Sequence, residues 1–313
     1  MNPKVLLLTA LPVLLAGCGG QPERGDFPPL YRPGDKLDVT ARSVHSMSTP
    51  TVHISSAASE MDLRIEARRG ATAGEVELVL RIVRVAGAAT QGTVGMQSYD
   101  SDQPPPGDEA RAAAFRKNVE AMKALRLTAT IDPNGRIARF AYDDVPMDWS
   151  RPPEKGQEPA DRLPWQTAAI VRGILGESLA YLPMNPVAKR QRWQLARQHV
   201  FPMHVYPTAM LMGNAILAER STCRVKDIDY RPEGRIAEIA FSGRREALVP
   251  PEVEPSGATL KCSGAARLNI DTGRFDLRVE SEVQFPRGRD AGGKSWFADE
   301  LTIKPVLEME EKE

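Results

Sequence analysis

The chain has 313 residues, with 41 basic and 41 acidic side chains and a formal net charge of zero. That balance argues against a nucleic-acid partner, and no run of Lys and Arg interleaved with aromatics occurs. Hydrophobic residues make up 42% of the chain, enough for an independent core, while three cysteines and four histidines leave little with which to build a metal site.

The first element is a secretion signal: one positive side chain (Lys4), an apolar run from Val5 to Leu15, then the small residues Ala16 and Gly17. The run is too short to cross a bilayer, which takes about 20 apolar residues, and Pro12 interrupts it. Cleavage of residues 1–17 is therefore expected. The quartet Leu15-Ala16-Gly17-Cys18 resembles the lipobox of bacterial lipoproteins. The resemblance implies that the Cys18 thiol takes a diacylglyceryl group and that the peptide is cut between Gly17 and Cys18. Acyl chains, at about 0.8 kcal/mol per buried methylene, would then hold the protein on a membrane. In the Gram-negative families it resembles, an aspartate after the cysteine favours the inner membrane. Gly19 stands there, which implies the periplasmic face of the outer membrane. Residues 18–33, rich in Gly, Pro and charge, read as a flexible tether.

From 34 to 308 the sequence reads as a single β-rich domain, followed by a charged tail at 309–313. Met61, Leu63, Ile65 and Ala67 alternate with charged residues, and Val76, Leu78, Leu80 and Ile82 continue the period of two. Leu125 to Ile131 runs into a turn at Asp132-Pro133-Asn134-Gly135 and returns through Ile137 to Tyr142. Leu260 to Ile270, the turn Asp271-Thr272-Gly273 and a return from Phe275 to Phe285 form the clearest hairpin. Such alternation specifies antiparallel sheet with one wet face. Two helices interrupt it. Asp108 to Leu125 carries Phe115, Val119 and Met122 on one stripe, and Trp165 to Tyr181 carries Ile170, Val171, Ile174, Leu175 and Leu179. Asp143 to Pro164, loaded with Pro and charge, reads as a long surface connection. Ala188 to His199 fits either a short helix or an edge segment. The hexapeptide Pro133-Asn134-Gly135-Arg136-Ile137-Ala138 recurs as Pro232-Glu233-Gly234-Arg235-Ile236-Ala237. Shared turn chemistry explains this, and so does an old duplication giving two similar halves joined by 143–164.

The search for chemistry is mostly negative. His45, His53, His199 and His204 have no zinc-like spacing, so no metal or other cofactor is expected. There is no Gly-x-Ser-x-Gly elbow, phosphate loop or dinucleotide fingerprint, and no catalytic residue is assigned. In an oxidising periplasm Cys223 and Cys262 are expected to form a disulfide that closes a loop of about 40 residues and stabilises the fold by about 4 kcal/mol. Met203, Met210, Leu211 and Met212 form a soft apolar run, read either as core filling or as part of an adaptable apolar site.

The lipobox, the tether and long strands interrupted by two helices resemble the periplasmic carriers and outer-membrane receptors of lipoprotein transport, and also uncharacterised β-rich envelope families. The resemblance implies an unclosed antiparallel barrel wrapped over helices around an apolar cavity. Two helices cannot cover so many one-sided strands, so the sheet must curl onto itself. The expected fold is mainly β: a strongly curved antiparallel sheet, or unclosed barrel, covered by about two helices. Phe115, Val119, Ile170, Ile174, Leu277 and Val279 are expected to face its interior, as packed core or as an apolar cleft. Three functional classes follow: a non-catalytic binder of lipid, acyl chain or another amphiphile; a structural or assembly partner of another envelope protein; and a hydrolase with an unrecognised site.

Overall fold

The structure, a computed structural model, describes residues 24–25, 30–48, 53–91, 94–103, 109–147, 159–183, 187–200, 216–248, 259–284 and 294–306. The N-terminal half contains β1 (Arg24–Gly25), β2 (Lys36–Ser48), β3 (His53–Arg69), β4 (Val76–Gln91), β5 (Val94–Asp100), α1 (Glu109–Ala124), β6 (Leu127–Ile131), β7 (Ile137–Tyr142) and β8 (Val145–Pro146). After α2 (Pro159–Ala180) come β9 (Val187–Ala188), β10 (Arg192–Val200), β11 (Ile216–Arg231), β12 (Gly234–Leu248), β13 (Thr259–Asn269), β14 (Phe275–Gln284) and β15 (Lys294–Pro305).

Thirteen of these strands make one antiparallel sheet, ordered β10-β11-β12-β13-β14-β15-β2-β3-β4-β6-β7-β8, with β5 also on β4. The two ends of the chain meet in its middle, where β15 pairs with β2 from Pro305↔Leu37 to Lys294↔Ser48. β4 is long enough to serve two neighbours: its first residues pair with β6 and its last with β5. The 17 residues of β3 reach about 56 Å at ~3.3 Å per residue. The sheet is not closed into a barrel by hydrogen bonds.

The alternation expected for β3 and β4 is present: Met61, Leu63, Ile65 and Ala67 are buried while Arg64, Glu66 and Arg68 are exposed. Register then aligns the buried residues of different strands into rows. One row runs Val225, Ile239, Ala266, Leu277, Leu301, Ala41, Met61, Val85 from β11 to β4, apolar at every position. The next row out runs Ile228, Ala237, Leu268, Phe275, Ile303, Val39, Leu63, Ile82. Burying such rows on one face is the main driving force of the fold, at about 1.5–3 kcal/mol for each large side chain.

α2 explains what the rows bury against. It packs on both β10 and β7, which lie at opposite ends of the strand order, and on α1, while α1 also packs on β4. The sheet is therefore curled until edge strand β10 and strand β7, next to the other edge β8, meet one helix. Between Trp165 and Leu175 every residue except Gln166 and Arg172 is buried. A helix apolar on nearly all sides is one covered on nearly all sides.

Several expectations change. α2 begins at Pro159, so the surface connection expected to reach Pro164 ends six residues sooner. Proline reads as a helix breaker, but Pro164 falls early in the helix, where it removes a single backbone bond. Ala188 to His199 is an edge: β9 and then β10. The repeated hexapeptide makes two different turns. In the first, Asp132 Oδ1 accepts from the N–H groups of Asn134 (2.9 Å) and Arg136 (2.8 Å). In the second, Arg231 pairs with Gly234 across only Pro232 and Glu233. Gly234 adopts φ +123°, and a Cβ there would stand 2.9 Å from Asp271 Oδ2, so turn chemistry demands the glycine.

Cys223 and Cys262 are both buried, and the expected disulfide between them is absent. Register gives the reason. Cys223 lies opposite Phe241, and Cys262 opposite Gly243, on the two strands flanking β12. Two inter-strand steps of ~4.8 Å separate their Cα atoms by about 10 Å before the two-residue stagger is added, beyond the ~7 Å limit for a disulfide.

Candidate functional site: the interior face of the sheet

Of the residues expected to face the interior, Ile170 (5% exposed), Ile174 (6%), Leu277 (4%) and Val279 (0%) belong to one hydrophobic core cluster. α2 contributes the first pair and β14 the second to that cluster. Val119 is buried on α1, outside that cluster. Phe115 lies in α1, and its side chain is outside the described residues. His204 and the Met203 to Met212 run are also outside them. His45, His53 and His199 stand in β2, β3 and β10. Among the described residues no group of three or more His, Cys, Asp or Glu is arranged to hold a metal ion.

The interior face is graded. Beyond the apolar row ending at Val85, the next row of paired positions reads Cys223, Phe241, Gly264, Val279, Asp299, Ser43, Ser59, Gly87. The row after it reads Ser221, Gly243, Cys262, Ser281, Phe297, His45, Ala57, Ala89. On β11 to β13 the buried face passes from Val225, Ile239 and Ala266 through Cys223, Phe241 and Gly264 to Ser221, Gly243 and Cys262.

At that transition lies a polar cluster that periodicity did not single out. The Glu219 carboxylate, 1% exposed, accepts hydrogen bonds from Tyr181 Oη (2.7 Å) and Ser221 Oγ (2.8 Å). Ser221 Oγ also lies 3.5 Å from Cys262 Sγ. The last contact crosses Gly243, which pairs with both residues. A side chain at Gly243 would block it, since a Cβ there would stand 2.3 Å from Ser221 Oγ. Tyr181 follows the end of α2, and its ring lies 4.3 Å from that of Phe241. Phe241 in turn lies over Gly264, where a Cβ would meet its ring at 2.3 Å. The cluster therefore latches the end of α2 onto β11 and β12. Arg172, half-buried on α2, has its guanidinium pushed down to about 10 by desolvation. Chemically, the site offers an apolar concave surface with one buried carboxylate, one phenol, one hydroxyl and one thiol at its margin.

No family model matches the chain, and no curated protein matches it. Among solved structures it is similar to lipovitellin, in a study of lipid–protein interactions in that protein, at 13% identity and a TM-score of 0.51 over 88% of this chain. The chain spans 25% of the lipovitellin chain. It also matches an outer membrane channel from Pseudomonas putida at 9% identity and a TM-score of 0.25, over 88% of this chain and 96% of that one. Only the first likeness reaches a shared fold. No helix among the described residues is long and apolar enough to cross a membrane.

Proposed function

We propose that this chain is a non-catalytic lipoprotein of the bacterial envelope, held by acyl chains on Cys18 at the periplasmic face of the outer membrane, and that it binds an apolar or amphiphilic ligand against the inner face of its sheet. The observation that carries this reading is the way the sheet ends. Edge strand β10 and strand β7, next to the other edge β8, both lie against α2 instead of pairing with each other, so the sheet curls around the helix with its buried apolar rows turned inward. The shared fold with lipovitellin, itself described through its lipid contacts, supports the same reading. The graded interior suits an amphiphile, with an aliphatic part along the bulky rows and a polar part toward Glu219, Ser221 and Tyr181.

Native mass spectrometry of the mature chain, paired with organic extraction of the same sample, tests it. The expected result is one amphiphile bound per chain in addition to the N-terminal acyl chains, recovered in the extract. A chain that carries only its own acyl chains, and takes up no fluorescent fatty acid, overturns the binding role.

A further inference from the structure

We infer that the outer face of β10 to β13 is a docking surface for the anionic bilayer in which the acyl chains of Cys18 are inserted. The inference rests on the anchoring proposed above and adds an orientation to it. Two independent observations carry it: where the leash begins, and what charge stands beside it.

Arg24 and Gly25 pair with Ala188 and Val187, so the chain is fixed to the domain six residues after Cys18. Six residues span at most about 20 Å. The domain cannot swing freely around such an anchor. β9 leads directly into β10, and Arg190 N–H donates to Val225 O at 3.0 Å, so the anchored strand is joined to the β10–β11 edge of the sheet. That edge, rather than any other part of the domain, is held near the membrane.

The outer face there is cationic. Arg192 pairs with Arg224 across β10 and β11, and Arg220, Arg244 and Lys261 stand in one row across β11, β12 and β13. All five are exposed. Between the two rows lie Gln194, Thr222, Ser242 and Ser263. Like charges directly opposite one another destabilise a sheet. Elsewhere on the outer face cations meet carboxylates: Arg64 with Asp38 at 3.0 Å, Arg278 with Glu300 at 3.0 Å, Arg84 with Asp100 at 2.8 Å. The second row meets its first carboxylate only on β14, where Glu282 stands opposite Lys261; Arg192 with Arg224, and Arg220 with Arg244, face cation to cation and call for an anion outside the protein. Lipid headgroup phosphates within reach of the leash are that anion.

The test uses the acylated full-length chain reconstituted in vesicles of phosphatidylethanolamine and phosphatidylglycerol containing a headgroup-quencher lipid. A fluorophore is placed through Ser263→Cys, or through Val83→Cys on the outer face of β4, five strands away; the native thiols are buried. The expected result is quenching at position 263 and little at 83. Quenching at 263 should be lost in neutral phosphatidylcholine vesicles, in 1 M salt, where the screening length shrinks to about 3 Å, and in the Arg220→Ser, Arg244→Ser, Lys261→Ser variant. The salt and lipid arms keep the result interpretable even if that variant folds poorly. If the chain is acylated and vesicle-bound but position 263 is not quenched, or both positions are quenched alike, the docking face is overturned while the anchoring stands. Energy transfer between labels at 263 on neighbouring copies, without quenching, shows that a second copy covers the face and overturns it too. An N-terminal fragment without acyl mass overturns the anchoring, and the docking proposal falls with it.

Discussion

Glu219 is a carboxylate in an interior that would otherwise be apolar, and its position is tolerable only because it is partnered. Desolvating an ionised carboxylate is costly unless hydrogen bonds replace the lost water. Tyr181 and Ser221 supply two of these. Tyr181→Phe keeps the ring on Phe241 and removes the phenolic donor. It is expected to cost about 1–3 kcal/mol, read as a lower urea midpoint with an unchanged slope, whereas Ser242→Ala, exposed on β12, should change little. An unchanged midpoint in Tyr181→Phe would show that Glu219 does not depend on that bond. Ser221 and Glu219 were legible only in part: they alternate with Arg220 and Thr222 as a strand requires, but a Glu at an inward position reads as a break in the pattern, because the partner that satisfies it sits 38 residues away on α2's end. The cysteines carry a related lesson. Two thiols in an oxidising compartment suggest a bridge, but parity shows only that both face inward, not that one strand intervenes. In the unreduced protein, two thiols should titrate after unfolding and almost none before. Finding none after unfolding would contradict the register described for β11 to β13.

Single elements show where pattern and structure part. β3, β4 and the β13–β14 hairpin follow their alternation closely, since a one-residue slip would turn every buried side chain outward. The start of α2 was hidden by Pro164, and β10 by its mixed polar and basic sequence, whose buried residue Leu195 has no apolar neighbours at strand spacing beyond Trp193. Close backbone approach makes Gly264 a sensitive point in β13. A Cβ there would lie 2.1 Å from Arg278 O and 2.3 Å from the Phe241 ring, so Gly264→Ala forces strand and ring apart. The cost should be about 1–3 kcal/mol, in the range of an overpacked core, and seen as a lower melting temperature. An alanine accepted without loss would mean that the ring does not rest on the backbone. The end of β5 is tied to β4 by charge instead. Arg84 donates to Asp100, Asp62 and Glu60. The Arg84 guanidinium, helped by the Asp102 N–H, holds the Asp100 carboxyl below its ordinary range. A carboxylate with a lowered folded pKa stabilises fully above its unfolded value of about 3.9 and loses that contribution as pH falls through the lower folded value. Asp100→Asn should therefore lower stability at neutral pH and show a shallower decline in acid, as followed by urea unfolding across pH. Parallel acid limbs in the two proteins would count against this pair.

At the scale of the whole molecule, the curled sheet was legible because strands with one apolar face outnumber the helices able to cover them, but the strand order was not. Nothing local in the sequence announces that β15 returns to β2, or that Arg220, Arg244 and Lys261, each unremarkable alone, stand side by side. Anchoring is tested by Cys18→Ser. The hydroxyl cannot replace the thiolate nucleophile, so membrane association should be lost or cleavage should stall. A variant that fractionates with the outer membrane as the original does would refute the lipobox reading.

The line along which α2 meets β10 and β7 has a mechanical meaning. α2 meets β10 and β7 without joining the ladder of either. Every sheet ladder runs at right angles to the strands, around the girth of the molecule, and stops at this line. A change in girth is therefore taken up there by sliding side chains, without breaking a rung elsewhere. The molecule is stiff as a shell and compliant as a loop: a split ring rather than a closed hoop. A closed barrel fixes its bore by strand number and stagger, whereas a split ring can take contents of unequal thickness with one wall.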